Sequence, residues 1–189
     1  MYGVQIAFRN YSASLGIMGS PWVGLKHFRQ FVNSIQFGIL VGNTLKISLY
    51  SLLVGFPIPI LLALMLNEVK SEPFKKFVQN ATYIPHFIST VVMCSMIIMF
   101  TSTTNGIINN LISRLGGNVI DFMGKSQYFR SIYVISDVWQ HMGWNSIIYL
   151  AALSAIDPQL YEAAEMDGAI RIQKIWHITL PSIMPTIVL

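Results

Sequence analysis

Long apolar blocks separated by shorter polar segments make up most of the chain. A bilayer core about 30 Å thick needs around 20 mostly apolar helical residues, because each residue of an α-helix rises only about 1.5 Å. Three blocks meet this length, at residues 45–66, 83–100 and 132–156. A fourth begins at Pro181 and runs to Leu189. The pattern predicts an all-α integral membrane protein with several spans, that is, a polytopic helix bundle.

Both ends of the sequence resemble the interior of an apolar segment. Residues 1–8, MYGVQIAF, lack the basic, apolar and small-residue order of a signal peptide. We therefore expect the chain to be incomplete at both ends. Residues 1–42 are expected to hold the end of a truncated first transmembrane segment and an external interfacial region, since 19–33 is aromatic and basic. Residues 43–189 are expected to form one transmembrane domain.

Proline and glycine residues mark breaks in the apolar pattern. Pro57 and Pro59, in GFPIP, predict a bend in the first block, because proline removes a backbone donor. A packing bend and a gating hinge both fit this feature. Between the second and third blocks, residues 107–115 carry apolar side chains at helical spacing, and Gly116 predicts the end of that helix. We expect this short helix to lie on the outer surface or to cap the bundle.

The composition agrees with a lipid environment. Hydrophobic residues make up 53% of the chain and charged residues 11%, where soluble domains carry about a quarter charged residues. The net charge of +4 is spread along the chain without a basic run, which disfavours nucleic-acid binding. Cys94 is the single cysteine, so the sequence holds no disulfide framework and no cysteine-based metal site.

A polar segment at residues 157–181 separates the third block from the fourth and is too polar to cross lipid. Asp157 is a good N-cap, Pro158 suits the first helical position and Gly168 can end a helix, which predicts a short helix over 158–167. A second helix should follow. Its predicted apolar face, turned towards the bundle while Arg171 and Lys174 face water, consists of Ile172, Ile175, Trp176 and Thr179.

The predicted helix–turn–helix can be interpreted in two ways. Ala163 and Ala164 provide a small-residue surface for the close approach of a partner, and Glu162 provides a carboxylate for a basic or backbone donor. A helix held between two spans can transmit a push to both of them. The alternative is a solvated amphipathic loop without a partner, and spacing alone leaves both interpretations open.

Residues at fixed spacing in this segment resemble a known motif. Glu162-Ala163-Ala164, three residues, Gly168, nine residues and then Ile178-Thr179-Leu180-Pro181 resemble the EAA loop of binding-protein-dependent ABC transporter permeases, at every fixed position. The chain is similar to sugar permeases of the carbohydrate uptake class, particularly the LplB-like polysaccharide or oligosaccharide permeases with a MetI-like transmembrane domain. The similar segments are residues 19–28, 43–69, 75–89 and 133–169.

The resemblance implies the permease core of a type I importer in the plasma membrane. Its expected partners are two cytoplasmic ATPase subunits, a second permease, an extracellular solute-binding protein and the lipid bilayer. The loop would be cytoplasmic and would dock its first helix in a cleft of the ATPase, through a segment that includes Glu162, Ala163, Ala164, Gly168, Ile178, Leu180 and Pro181. Counts of Lys and Arg are equal on the two sides of the predicted bundle and do not decide the orientation.

No cofactor is expected in this chain, with ATP and Mg²⁺ bound by the partner ATPase. Residues 117–126, GNVIDFMGKS, only superficially resemble a phosphate-binding loop, because six residues rather than four separate Gly117 from Gly124. No spacing of His, Cys and carboxylates predicts a metal site, and no nucleophile has a visible base, so no catalytic residue is assigned. His86, which follows Pro85, is expected to cap or anchor its helix.

Polar and aromatic residues in the third block are candidates for a substrate path. Asp137 and His141 lie four residues apart and can pair, and ionisable groups in a membrane usually face a water-filled route or each other. Aromatic rings stack on sugars, and amides and carboxylates bond to hydroxyl groups. The candidates are Asp137, Trp139, His141, Trp144 and Asn145. An interfacial aromatic belt around a local Asp–His pair fits equally well.

Other functions remain open at this stage. The same loop occurs in importers of amino acids, peptides or ions, and only the likeness outside the loop selects a sugar. An intramembrane enzyme would need paired catalytic groups at membrane depth, and only Asp137 with His141 comes near this requirement.

Overall fold

The computed structural model describes residues 2–188, and regular secondary structure in that range is helical apart from an isolated antiparallel bridge between Arg9 and Trp22. The helices follow the order α1 Gly16–Gly19, α2 Lys26–Val32, α3 Ile35–Gly55, α4 Pro57–Glu68, α5 Glu72–Tyr83, α6 Thr90–Thr101, α7 Ile107–Arg114, α8 Ser126–Ser154, α9 Pro158–Met166, α10 Arg171–Lys174 and α11 Leu180–Val188. Three tighter or wider helical turns lie at Tyr2–Phe8 (3₁₀), Ile84–Phe87 (3₁₀) and Ile175–Thr179 (π).

The described residues divide into two compact units, one up to Leu49 and one from Tyr50. In the first unit, the Phe8 ring stacks on Trp22 with 5.4 Å between ring centroids. Arg9 holds the same turn together, since its Nη1 donates to the backbone oxygens of Met18 and Ser20, both at 2.8 Å. These contacts make a small aromatic cluster next to the bridge.

The second unit is built around α8, which packs against α4, α5 and α11. Ala63, Leu153 and Ile183 form its buried core, with exposed fractions of 0%, 4% and 0%. The crossing of α5 and α8 is close. A Cβ added at Gly143 would overlap the backbone carbonyl of Thr82, so only glycine fits at this point.

The first predicted span is helical from Ile35 to Glu68, longer than the predicted 45–66. This stretch is long and apolar enough to cross a membrane. Phe56 separates α3 from α4, and Pro57 occupies the first position of α4, where its missing N–H costs no helical bond. This break between the two helices falls within the sequence GFPIP, and the bend expected there stays a prediction.

The second predicted span, 83–100, is not one continuous helix. Tyr83 ends α5, a 3₁₀ turn follows, and α6 begins at Thr90, so that the two helical parts meet at 105°. Pro85 cannot continue the α-helical hydrogen bonds, and the Ser89 hydroxyl accepts from Val92 N–H as the N-cap of α6. If the bent pair counts as one span, it is a second candidate crossing among the described residues.

The third predicted span, 132–156, lies almost wholly within α8, which begins earlier, at Ser126, and ends at Ser154. Its 29 residues give a length of about 43 Å, enough to cross a bilayer core. By length and apolarity together, however, the described residues hold one helix that could cross a membrane, or two if the bent pair is one span, and α8 is not among them. The third predicted span therefore stays a prediction. The fourth predicted span does not start anew at Pro181. Residues 171–188 form a continuous helical stretch that joins the second predicted arm of the polar segment to α11.

The connection between α6 and α8 is fixed by one buried side chain. Asn109, on α7, is 2% exposed and donates from Nδ2 to the carbonyls of Thr101, Ser102 and Ile120. Its Oδ1 accepts from Ile120 N–H at 2.9 Å. The predicted helix over 107–115 is therefore present as α7 and is tied to both ends of its loop.

Candidate functional site

The polar segment 157–181 forms a helical hairpin whose first arm is α9. The Asp157 carboxylate accepts from Gln159 N–H at 2.9 Å, which satisfies a free donor at the start of the helix. Pro158 occupies the first helical position. The predicted start of the hairpin is confirmed by these contacts.

Gly168 ends α9 in a left-handed conformation, with φ of +77°. Gly168 N–H donates to Glu165 O at 3.0 Å, and Ala169 N–H donates to Ala164 O at 2.9 Å. This pair of bonds is a Schellman motif, which favours glycine because other residues rarely adopt positive φ. The predicted helix end at Gly168 is thus confirmed, and its conformation explains the residue type.

α9 has an outward and an inward face. Glu162, Ala163 and Met166 are exposed, and the exposed fraction of Met166 is 89%. Tyr161 and Ala164 are partly buried and face the second arm of the hairpin. Of the two alanines, only Ala163 is therefore exposed on the outward face, and its role in a partner surface stays a prediction.

The second arm, residues 171–179, differs from its predicted orientation. Ile172 and Trp176 are 63% and 65% exposed, whereas Thr179 is buried. Ile175 is partly buried and lines a groove beside α4 with Trp176, so only part of the predicted apolar face meets the bundle. Lys174 does not point to water. Its side chain is 17% exposed and pairs with Glu165 of the first arm. The helical spacing identified the arm correctly but not which of its side chains are covered.

Two side-chain links join the arms of the hairpin. Tyr161 OH lies 3.0 Å from Thr179 Oγ1, and Lys174 Nζ donates to Glu165 Oε1 at 2.6 Å. The Lys174 hydrogen bond and charge, with a weaker contribution from Lys70, lower the pKa of Glu165 below its ordinary value. Because the pKa is lowered, the pair is intact at neutral pH and is lost as pH falls through the lowered value.

The remaining residues of the motif lie away from the outward face of α9. Ile178 lines a cavity of about 380 Å³ between the arms, together with Ala164 and Gly168. Leu180 lines a groove of about 620 Å³ between α4 and the second arm. Pro181 is exposed in the first turn of α11. In this chain, these residues shape the hairpin and its junction with the bundle.

A small polar cleft lies at the middle of α8 and contains three of the five residues predicted for a substrate path. Asp137, His141 and Asn145 follow one another at four-residue spacing and line a space of about 200 Å³. Its other walls are Ser51, Gly55, Pro59, Val138 and Met142. The predicted Asp–His pair is confirmed, since His141 Nδ1 lies 3.2 Å from Asp137 Oδ1. The cleft therefore presents a carboxylate, an imidazole, an amide and a hydroxyl to a single space.

The two predicted tryptophans lie elsewhere on α8. Trp139 lines a separate apolar cleft of about 420 Å³ beside α6. Trp144 stacks on His86, with ring centroids 4.5 Å apart and an angle of 2° between the planes. His86 is thus held by its ring, and its edge approaches His141 with 5.5 Å between centroids. From the sequence, His86 was expected to cap or anchor the start of a helix. Its stacking on Trp144 could not be predicted, because the two residues are 58 positions apart.

Comparison with known proteins places this arrangement in a family. Residues 55–189, which include the cleft and the hairpin, match the family described as binding-protein-dependent transport system inner membrane component. The chain belongs to this family of permease components.

Two curated relatives match the whole chain, and one of them carries a polysaccharide transport title. The chain is 50% identical, over 100% of its length and 59% of the relative's, to the polygalacturonan/rhamnogalacturonan transport system permease protein YteP of Bacillus subtilis. It is 43% identical over the same shares to Protein LplB of Bacillus subtilis. The chain thus spans about 59% of the length of the curated relatives it matches.

A solved structure supports the fold. A bacterial ABC transporter involved in the import of the acidic polysaccharide alginate matches with a TM-score of 0.90 and 45% identity, over 99% of this chain and 62% of that one. The same comparison finds the bacterial alginate transporter in complex with an alginate pentasaccharide-bound periplasmic protein, with a TM-score of 0.88 and 45% identity, over 98% of this chain and 60% of that one. The helical bundle is therefore that of ABC importer permeases.

Proposed function

We propose that this chain is part of a permease subunit that forms the membrane path of an ATP-driven importer for a sugar or oligosaccharide. The subunit would span the plasma membrane several times and hydrolyse no ATP itself. ATP and Mg²⁺ would bind to a separate cytoplasmic ATPase, and a second permease and an external solute-binding protein would complete the assembly. Family membership and the carbohydrate titles of the relatives support this proposal.

The outward face of α9 carries the proposal. Glu162 and Ala163 occupy the motif positions that resemble the EAA loop, and both are exposed on a helix fixed at its start by Asp157 and at its end by Gly168. A helix held at both ends presents a fixed shape to a partner, which reduces the ordering cost of binding. We infer that this face docks in the ATPase on the cytoplasmic side of the membrane.

Met166 extends the proposed docking face. It is 89% exposed, and methionine adapts well to the shape of a partner surface. With the Ala163 methyl it offers an apolar contact beside the Glu162 carboxylate. A cleft that combines an apolar floor with a basic group or free backbone N–H groups would match this pattern.

Docking at this position would couple ATP to movement of the path. α8 leads into the hairpin from one side and residues 171–188 lead out of it on the other. Closure of the ATPase pair would displace α9 and, with it, both flanking helices. The permease would change between inward-open and outward-open states because the ATP-bound ATPase favours one of them.

The polar cleft on α8 is the proposed part of the sugar path in this chain. The Asp137 carboxylate can accept from hydroxyl groups, and the Asn145 amide can both accept from them and donate to them, which suits a carbohydrate. His141 contacts the Asp137 carboxylate at 3.2 Å. Trp139 and Trp144 do not line this cleft, so we do not include them in the proposed path.

Charge reversal at Glu162 tests the proposed function. In the full-length permease reconstituted with its ATPase, second permease and binding protein, Glu162→Lys is expected to reduce ATP-dependent sugar uptake by at least about tenfold, within the usual range of coupling energies. The carboxylate would be lost from the docking face, while the side chain makes no contact that α9 needs for folding. Uptake of labelled oligosaccharide into proteoliposomes is the measurement.

Glu72→Lys is the matched control. Glu72 is an exposed glutamate in the first turn of α5, outside the hairpin, so the same reversal should leave uptake within about twofold of the wild type. Equal amounts of both variants in the membrane fraction would exclude a folding defect. Normal uptake by Glu162→Lys would contradict the docking role.

A further inference from the structure

The two arms of the hairpin are fastened to each other at positions outside the recognised motif, apart from Thr179. Tyr161 and Glu165 lie four residues apart and so share one face of α9. They contact Thr179 and Lys174 of the second arm at 3.0 Å and 2.6 Å. Each arm therefore contributes two anchors.

The two partners on the second arm, Lys174 and Thr179, lie on either side of a π-turn. In an α-helix, residues five apart would point about 140° away from each other. The π-turn at Ile175–Thr179 replaces this geometry with bonding between residues five apart. Both side chains reach α9 in this arrangement.

The Glu165–Lys174 link joins a largely covered cation to an exposed carboxylate. The Lys174 side chain is 17% exposed, whereas that of Glu165 is 64% exposed. Lys174 also lines the cavity between the arms, together with Ala164 and Ile178. A long cation whose stem is covered loses less freedom when it pairs than an exposed one, so the link favours one relative position of the arms.

We propose that Tyr161, Glu165, Lys174 and Thr179 are positioning residues that clamp α9 to the second arm, so that displacement of α9 is passed to helix α11. The inference rests on the proposed function, because it assumes that a partner ATPase moves α9. Without the clamp, the turn at residues 167–170 would be the main connection between α9 and the second arm, and a partner could move α9 while α11 stayed in place.

Charge-altered variants of the ion pair test the clamp. We expect Glu165→Gln and Lys174→Met each to reduce the amount of sugar imported per ATP hydrolysed, by about fivefold, in the reconstituted full-length importer. Binding of the ATPase should be unchanged, because neither side chain lies on the outward face of α9. The measurements are uptake, phosphate release and ATPase co-purification on the same preparations.

The exchanged pair is the rescue variant. Glu165→Lys combined with Lys174→Glu restores opposite charges across the arms and should return the import-to-ATP ratio to within about twofold of the wild type. Each reversal alone places like charges together and should lower the ratio more than the neutral variants do. A loss of packing alone would not be repaired by exchanging the charges.

The outcomes separate this inference from the proposed function. If the neutral variants keep the wild-type ratio while Glu162→Lys abolishes uptake, the clamp is wrong and the docking role stands. If the single variants lower the import-to-ATP ratio and the exchanged pair does not restore it, the clamp is also wrong. If Glu162→Lys leaves uptake intact, the docking role of α9 in the proposed function fails, and the clamp, which assumes that docking, fails with it.

Discussion

At Gly168, the backbone conformation restricts which residue types the position can hold. Its φ of +77° lies in the left-handed region, and an added Cβ would meet nothing within 4 Å. The requirement is therefore one of backbone conformation and not of space. The sequence predicted both Gly168 as a helix end and Asp157 as an N-cap. Both predictions succeed because an N-cap and a helix-ending glycine interact only with residues close by in the sequence.

Substitutions at Gly168 should follow backbone preference. Gly168→Val should cost about 1–2 kcal/mol in the turn, since a β-branched residue fits positive φ poorly, and should weaken binding of the ATPase. Gly168→Asn, at the same position, should bind nearly as well as the wild type, because asparagine tolerates this conformation. Co-purification of the ATPase with each variant checks the order, and equal binding by the two would contradict it.

The side-chain links at the residue scale lay beyond the reach of the sequence. Glu165 and Lys174 are nine positions apart, and His86 and Trp144 are 58 apart, so each pairing depends on how helices are placed in space. Ile172 and Trp176 are a case in which a local pattern was visible but misleading. Their spacing predicts a shared apolar face, but spacing does not reveal whether a neighbour covers that face.

At the scale of elements, the contact between α5 and α8 depends on Gly143. The backbones approach so closely that no side chain fits between Gly143 and Thr82. Small residues commonly allow such approach between membrane helices.

Enlarging Gly143 should separate these helices. Gly143→Val is expected to lower stability by about 1–3 kcal/mol, as overpacking of tight contacts does, or by more because the obstacle is backbone. Ala151→Val is the control, since Ala151 is an exposed position on the same helix. Thermal unfolding of both variants in the same lipid nanodisc gives the comparison, and equal midpoints would show that the crossing is not tight.

The sequence predicted helices better than it predicted their joints. Apolar blocks marked α3 with α4, α6 and α8, because a bilayer-spanning helix needs length and apolarity that composition reports directly. The joint at Pro85 was missed. The block 83–100 is apolar throughout, so hydropathy alone did not distinguish a straight helix from two helices joined by a 3₁₀ turn.

For the whole molecule, the central question is on which side of the membrane each end of α8 lies. The proposed function places the hairpin inside the cell and the α7 connection outside. Both sites offer strongly exposed side chains, with Met166 at 89% and Leu115 at 80%. The 29 residues of α8 are long enough to separate them by a bilayer core.

Single cysteines at these positions test the orientation. In a Cys94→Ser background, Met166→Cys should react with a membrane-impermeant maleimide only after the cells are opened, whereas Leu115→Cys should react in intact cells. The label is read by the mass shift of the permease. Reaction of Met166→Cys in intact cells would place the hairpin outside and would contradict the proposed cytoplasmic docking.

The apolar blocks predicted the all-helical membrane class, and the resemblance of the motif around Glu162 to the EAA loop indicated the family. Which side chains line the polar cleft did not follow. Asp137 and His141 were identified by their four-residue spacing and Asn145 by its residue type, but Ser51 reaches the same space from another helix. Trp139 and Trp144 were included by residue type. Trp139 instead lines the cleft beside α6, and Trp144 stacks on His86.

The π-turn at Ile175–Thr179 also rotates the side chains of α11 relative to those of the second arm. A π-turn acts as one inserted residue, which rotates all later side chains of the helix by about 100°. The face of α11 that packs on the bundle therefore does not continue the face of the second arm that contacts α9. Ile183 reaches the interior at 0% exposure under this offset. Removing one residue there would preserve a regular helix yet turn Ile183 away from Ala63 and Leu153.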